Sequence, residues 1–159
     1  MKITIIAVGK IKEKFFRDAV AEYEKRLSKY CRLHIIETAD EKTTEQASEA
    51  VNRQILVKEG ERIINLIPKD SFVIPLVIEG KKYNSLEFAD MISRITLKGN
   101  SHITFIIGGS LGIWEEIKKN GDAAISFSDM TFPHQLMRVI LLEQIYRAFR
   151  IINNEPYHK

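Results

Sequence analysis

Apolar and polar positions alternate between two rhythms along this chain. Residues 3–9, ITIIAVG, form an unbroken apolar run closed by glycine, the pattern of a strand buried on both faces. Phe16, Ala19, Val20, Tyr23, Leu27 and Tyr30 then recur at helical spacing, which predicts an amphipathic helix over residues 14–30. RLHIIET reads as a second strand. The polar stretch ADEKTTEQAS leads into a helix running through Ala47, Val51 and Ile55 to about Leu66, and Pro68 stops it. SFVIPLVIEGK is a third strand, with Pro75 inside it leaving one ladder position without an N–H. The next helix has Asn84 or Ser85 as N-cap and Gly99 just past its end. HITFIIGGS is a fourth strand, GIWEEIKKNG about two helical turns, and AAISFS a fifth strand. Pro133 is expected at the favoured first position of a long last helix.

Strands alternating with helices imply a mostly parallel sheet covered by helices on both faces, built as one domain over residues 1–159. In such sheets ligands bind beyond the carboxyl ends of the strands. The segments to search are therefore residues 9–10, 76–80, 108–112 and 127–132. FIIGGSLGIW lies between a strand and a helix, where glycines let backbone approach a ligand closely. It is neither a dinucleotide fingerprint, since the pattern from Gly108 is G-G-x-x-G, nor a P-loop, since no lysine follows the glycines. Both an empty tight turn and a nucleotide-like ligand account for it. Asp129 could accept from a ribose hydroxyl, or simply be solvated.

The last helix is apolar nearly all round. With Arg138 set at zero on a wheel, Leu141, Leu142, Ile145, Phe149, Ile152 and His134 fall within about 60° of it. Glu143, Arg147 and Arg150 gather opposite, yet Ile140 and Ile151 lie there too. Such a helix needs burial on more than one side, and a symmetric dimer is the simplest second surface. Arg138 in an apolar arc demands a partner. Glu143 of a second subunit and carbonyls at a strand end are the structural options. The functional option is a pocket or an anionic ligand faced by Arg138 and His134.

Composition narrows the function classes. A hydrophobic fraction of 45% and a charged fraction of 28% suit a folded soluble domain. The net charge of +3 tolerates a nucleic-acid partner without demanding one. Lys10, Lys12, Lys14 and Arg17 are the one basic cluster near a strand end, and they read equally as a solvated helix face. A single cysteine and four scattered histidines argue against a disulfide or a metal site. No apolar run approaches the ~18 residues of a membrane span, and a cytoplasmic location is expected.

Three segments, FIIGGSLG, SFSDMTFPHQLMRVILLEQIYRAFRI and the ending PYHK, together with the opening ITIIAVGKIKEKF, carry a specific resemblance over nearly the whole chain. The chain resembles the ribosomal RNA large subunit methyltransferase H family of the SPOUT superfamily. The resemblance implies an α/β fold with a C-terminal trefoil knot, a homodimer, and S-adenosyl-L-methionine as cofactor. It implies methylation of N3 of pseudouridine 1915 in helix 69 of 23S rRNA, on assembled ribosomes and without metal. Carried onto matching positions, the cofactor would touch Leu76, Gly108, Phe127, Ser128, Asp129, Met130, Thr131 and Phe132. His134, Arg147, Tyr157 and His158 are the candidates for base, anion stabiliser or substrate contact, and none is singled out as the base. A side chain at Gly108 is expected to block backbone approach to the cofactor. The tail NNEPYHK is expected to complete the partner subunit's site. The competing readings are a nucleotide-binding oxidoreductase domain and a non-enzymatic RNA-binding module, which cofactor titration separates from the enzyme.

Overall fold

In a computed structural model, which describes residues 1–157, five strands and five helices alternate along the chain. The strands are β1 (Lys2–Val8), β2 (Arg32–Thr38), β3 (Phe72–Lys82), β4 (His102–Ile107) and β5 (Ile125–Ser126). The helices are α1 (Lys14–Leu27), α2 (Glu49–Leu66), α3 (Ser85–Leu97), α4 (Glu115–Asn120) and α5 (His134–Ile152). All strand pairs are parallel and the sheet order is β2-β1-β4-β3-β5. The period-2 alternation of β1 and β4 sorts the core into two layers. Ile3, Ile5, Ala7, Ile103, Phe105 and Ile107 face the side covered by α1, α3 and α5. Ile6, Val8 and Ile106 face the side covered by α2 and α4, through Ile63, Ile113 and Ile117. β1 and β4 are buried almost throughout, which is why their sequences read as continuous apolar runs.

Local chemistry sets several helix ends. Asn84 closes a full capping box with Glu87 at the start of α3, and Ser48 caps α2 through Val51 N–H. Gly99, at φ +93°, lets α3 turn off, with its own N–H bonded to Thr96 and that of Asn100 to Ile95. α5 ends the same way around Asn154 at φ +53°, where Asn154 donates to Ile151 and Glu155 to Arg150. Two expectations shift. Pro133 is the N-cap, at ψ 136°, and His134 is the first helical residue. The fifth strand shrinks to two residues, because the β3–β5 register slips between Leu76 and Lys81 and only a short stretch can pair.

The apolar circumference of α5 is met largely within the chain. α5 lies on the sheet with α1 and α3 packed along its flanks. Leu141, Leu142, Ile145, Ala148 and Phe149 are buried there. The far side keeps Ile140, Gln144, Arg147 and Ile151 half-buried. The need for a second surface is thus narrower than the wheel implies: two of the covering surfaces are helices of the same subunit.

Candidate active site at the strand ends

A cleft of about 770 Å³ opens at the carboxyl ends of β3, β4 and β5, where the topology brings three of the four searched segments together. Its walls are residues 76–79 from β3, residues 107–113 from the glycine turn, and most of residues 126–134 with Met137. Leu76, Gly108, Phe127, Ser128, Met130, Thr131 and Phe132, positions that the resemblance assigns to cofactor contact, all line it. Asp129 does not: it points away, 78% exposed, and pairs with Lys82 Nζ at 2.5 Å. The loop around it is shaped by its serines, with Ser126 Oγ donating to Ser128 O and Met130 N–H donating to Ser128 Oγ. Met130 remains 73% exposed at the rim.

The glycines are first of all needed by the turn itself. A Cβ at Gly108 would lie 2.4 Å from the carbonyl oxygen of Gly112 and 2.8 Å from Ile113 Cγ1. Gly108 is therefore required for the turn to close on itself; Gly112 N–H donates to Gly109 O at 3.0 Å across it. Gly112 sits at φ +88° with open space around it, so its conformation and not crowding selects glycine. Beneath the turn, a Cβ on Gly109 would come within 3.2 Å of Glu59 Oε2. Glu59, on α2, is 4% exposed; its other oxygen accepts from Glu41 N–H at 3.0 Å. Burial pushes its carboxyl pKa up. Nothing in the sequence pattern marked Glu59, since a charged residue on an amphipathic helix ordinarily reads as solvated.

Arg138 finds its partners inside its own chain. It is 1% exposed and donates through Nη1 to Glu37 Oε2 at 2.6 Å, closing a salt bridge to the end of β2. Nη2 donates to Gly9 O at 2.5 Å and Val8 O at 3.3 Å, the carbonyls at the end of β1. The expected carbonyl partners are correct. Glu143 of the same chain serves another arginine, accepting from Arg147 at 2.6 Å. His134 lines the cleft, and its Nδ1 lies 3.2 Å from Arg138 Nη2. Burial, then the Arg138 charge, holds the His134 pKa below the ordinary value.

Arg147 and Tyr157 lie elsewhere. The Arg147 guanidinium stacks 4.7 Å over the Tyr157 ring, and Tyr157 Oη donates to Glu143 Oε1 at 3.3 Å. Tyr157 also meets Tyr146 edge-on at 4.9 Å. Glu143 and Arg147 lie roughly 13 and 20 Å along α5 from its first residue, so this cluster packs around the middle and second half of the helix and not at the loop that begins it. His158 lies outside the described residues. Among the described residues no group of His, Cys, Asp or Glu is placed to hold a metal, and no helix is long and apolar enough to cross a membrane.

A parallel α/β sheet with a largely apolar, glycine-edged cleft at its strand ends defines the class: an α/β protein with room for a small, partly apolar ligand where such sheets bind theirs. Comparison with known proteins makes it specific. The family described as predicted SPOUT methyltransferase matches residues 1–158. The chain is 62% identical over 159 residues to the ribosomal RNA large subunit methyltransferase H of Bifidobacterium adolescentis, covering 100% of both chains. It is 57% identical, over the same full lengths, to the protein of that name from Streptococcus uberis. A solved structure described as a probable methylase family protein from Haemophilus influenzae Rd KW20 shares the fold, with a TM-score of 0.56 at 13% identity, over 99% of this chain and 70% of that one. The chain belongs to the SPOUT methyltransferase family.

Proposed function

We propose that this methyltransferase moves the methyl group of S-adenosyl-L-methionine to N3 of pseudouridine 1915 in helix 69 of 23S rRNA. It acts on assembled ribosomes in the cytoplasm, as a homodimer whose knotted C-terminal half forms the cofactor site. The observation that carries this reading is the convergence of Leu76, Gly108 and residues 127–132 on one cleft, in a chain whose full-length relatives are named for rRNA methylation.

The cleft fits the cofactor. Leu76, Met130 and Phe132 offer apolar contact to a nucleoside and to the methylenes of the amino-acid chain, while the backbone of residues 108–112 and 127–131 offers donors and acceptors for the adenine edge. When bound, S-adenosyl-L-methionine supplies an electrophilic methyl on a sulfonium. The chain's task is alignment of that methyl with the incoming nitrogen.

Substrate contact would come from the second subunit. Arg147 and Tyr157 pack on one another along α5 and do not line the cleft of their own chain. A two-fold pairing through the half-buried far side of α5 would carry them toward the partner's cleft. A second cavity of about 390 Å³, bounded by Ile140, Gln144, Tyr83, Phe88 and Phe127, supports that side as the contact. Tyr157 and Arg147 would then stack on a displaced base and face phosphate.

The test measures methyl incorporation from S-adenosyl-L-methionine into ribosomes, free 23S rRNA and a helix 69 oligonucleotide. Transfer to the ribosome alone is expected, because a net charge of +3 can neutralise few phosphates of free RNA. Equal transfer to all three sinks the ribosome requirement. No heat on titrating the cofactor into pure protein sinks the enzyme reading in favour of an RNA-binding module.

A further inference from the structure

His134 is gripped from two sides. Its ring lies against the end of β1, where a Cβ on Gly9 would come 2.9 Å from Cε1. Gly9 is at φ +87°, so both conformation and space reserve this position for glycine. On the other side, Nδ1 faces Arg138 Nη2 at 3.2 Å. Arg138 cannot turn away, because the same guanidinium is held by Glu37 Oε2 and by the Gly9 and Val8 carbonyls. One Nη2 proton goes to Gly9 O; the other is shared between Nδ1 and the more distant Val8 O.

A guanidinium has only donors and stays charged at any ordinary pH. Whatever faces its N–H must present a lone pair. Nδ1 of His134 is therefore the unprotonated nitrogen, and the single ring proton of the neutral imidazole sits on Nε2. That edge makes no hydrogen bond to a described residue, and His134 is part of the cleft wall.

We propose that Arg138 is a positioning residue that locks His134 as the neutral Nε2–H tautomer, so that His134 serves methyl transfer as a hydrogen-bond donor and not as the base. The inference rests on the reading of this cleft as the methyl-transfer site. In that reaction the S–CH3 bond breaks and its electron pair stays on sulfur, while an N3–CH3 bond forms. The N3 proton leaves to water, and negative charge spreads onto the two carbonyl oxygens flanking N3. An Nε2–H aimed at one of those oxygens stabilises the charge where it develops. A His134 with its lone pair turned to Arg138 has no lone pair for the N3 proton. Accepting one at Nδ1 would set an imidazolium against the guanidinium. A neutral histidine used as an electrophile is an established catalytic pattern.

The surroundings agree. The groups acting on His134 are Arg138 on its own helix, Lys12 and Glu13 from the segment after β1, and Asp40 after β2. Arg138 and Lys12 oppose protonation and the two carboxylates favour it, yet the balance with burial holds the pKa low. Glu37 is engaged by Arg138.

The experiment uses the full-length protein labelled with ¹⁵N-histidine, and reads two-bond proton–nitrogen correlations from about pH 6 to about pH 8. His134→Gln assigns the signal among the four histidines. The expected result is one neutral tautomer with its proton on Nε2 throughout. A proton on Nδ1, or an imidazolium at about pH 6, overturns the proposal. Arg138→Gln should turn the signal into a tautomer mixture; an unchanged tautomer in a folded variant overturns the role of Arg138. Should that variant not fold, the wild-type spectrum still decides. On ribosomes, His134→Ala should lower kcat by about 10²-fold, the effect of losing one donor to a developing anion, with the acid limb of its pH profile unmoved. Loss of that limb makes His134 the base and overturns the proposal. The spectrum needs no substrate, so failure to methylate ribosomes at all would count against the function and leave the tautomer standing.

Discussion

Adding one methyl group at Gly108 tests how the cleft is built. In Gly108→Ala the new Cβ would stand 2.4 Å from the Gly112 carbonyl oxygen and 2.6 Å from its carbon. Ordinary van der Waals contact starts near 3.4 Å, so the two sides of the turn must part by roughly 1 Å. The opposing atoms are backbone and cannot rotate away as a side-chain tip would. Ile113 Cγ1, 2.8 Å from the same point, is anchored in the core beside Ile117 and Ile6. Overpacking of this kind costs about 1–3 kcal/mol. For a chain of this size that lowers Tm by roughly 2–10 °C. The turn forms one wall of the cleft, so a shift of ~1 Å also degrades contacts made by residues 108–112. A loss of about 1.4 kcal/mol there is a tenfold loss in cofactor affinity. Thermal unfolding and calorimetric titration with S-adenosyl-L-methionine read the two effects separately. Wild-type Tm would refute the self-closure role of Gly108. Wild-type affinity in a destabilised variant would refute the turn as part of the cofactor wall.

Other outcomes follow from the same geometry. Sedimentation should show a dimer at micromolar concentration, and Ile140→Asp should shift it toward monomer; a wild-type monomer refutes the far side of α5 as the contact. Deleting residues 157–159 should abolish methyl transfer while cofactor affinity stays within about twofold, with stability falling by roughly 1 kcal/mol as the Tyr157 ring contacts are lost. Asp129→Asn should change stability by less than about 1 kcal/mol and leave cofactor affinity alone, because the Lys82–Asp129 pair is exposed and outside the cleft. Glu59→Gln should stabilise the protein more as pH rises. A carboxyl with a raised folded pKa binds more protons folded than unfolded, so wild-type stability falls from about the ordinary value of 4.5 up to the raised one. Urea unfolding at several pH values checks the slope, and a gain that shrinks with rising pH refutes it.

The sequence alone determined the element order, the parallel sheet and the strand ends to search. Each is written in local periodicity: β1 and β4 as unbroken apolar runs, α1 as a helical stripe, Asn84 and Gly99 as punctuation at the ends of α3. Residue types at short spacing decide these features, so one dimension is enough to read them. Leu76, Gly108 and Phe132 were legible for a related reason, since parallel topology sends every strand end to the same edge. Tertiary structure decided the pairings across sequence distance. Arg138 needed a partner by its burial, but whether that was a strand end, another subunit or a ligand depended on which strand tips lie under α5; Glu37 and the Gly9 carbonyl do. The flanks of α5 looked unpartnered because periodicity shows which side is apolar and not what covers it; α1 and α3 do. Asp129 and Glu59 changed places for the same reason: a loop carboxylate turned outward to Lys82, while a helix carboxylate was folded beneath the glycine turn. Burial of a polar group is a property of everything packed around it, and only the folded chain sets it.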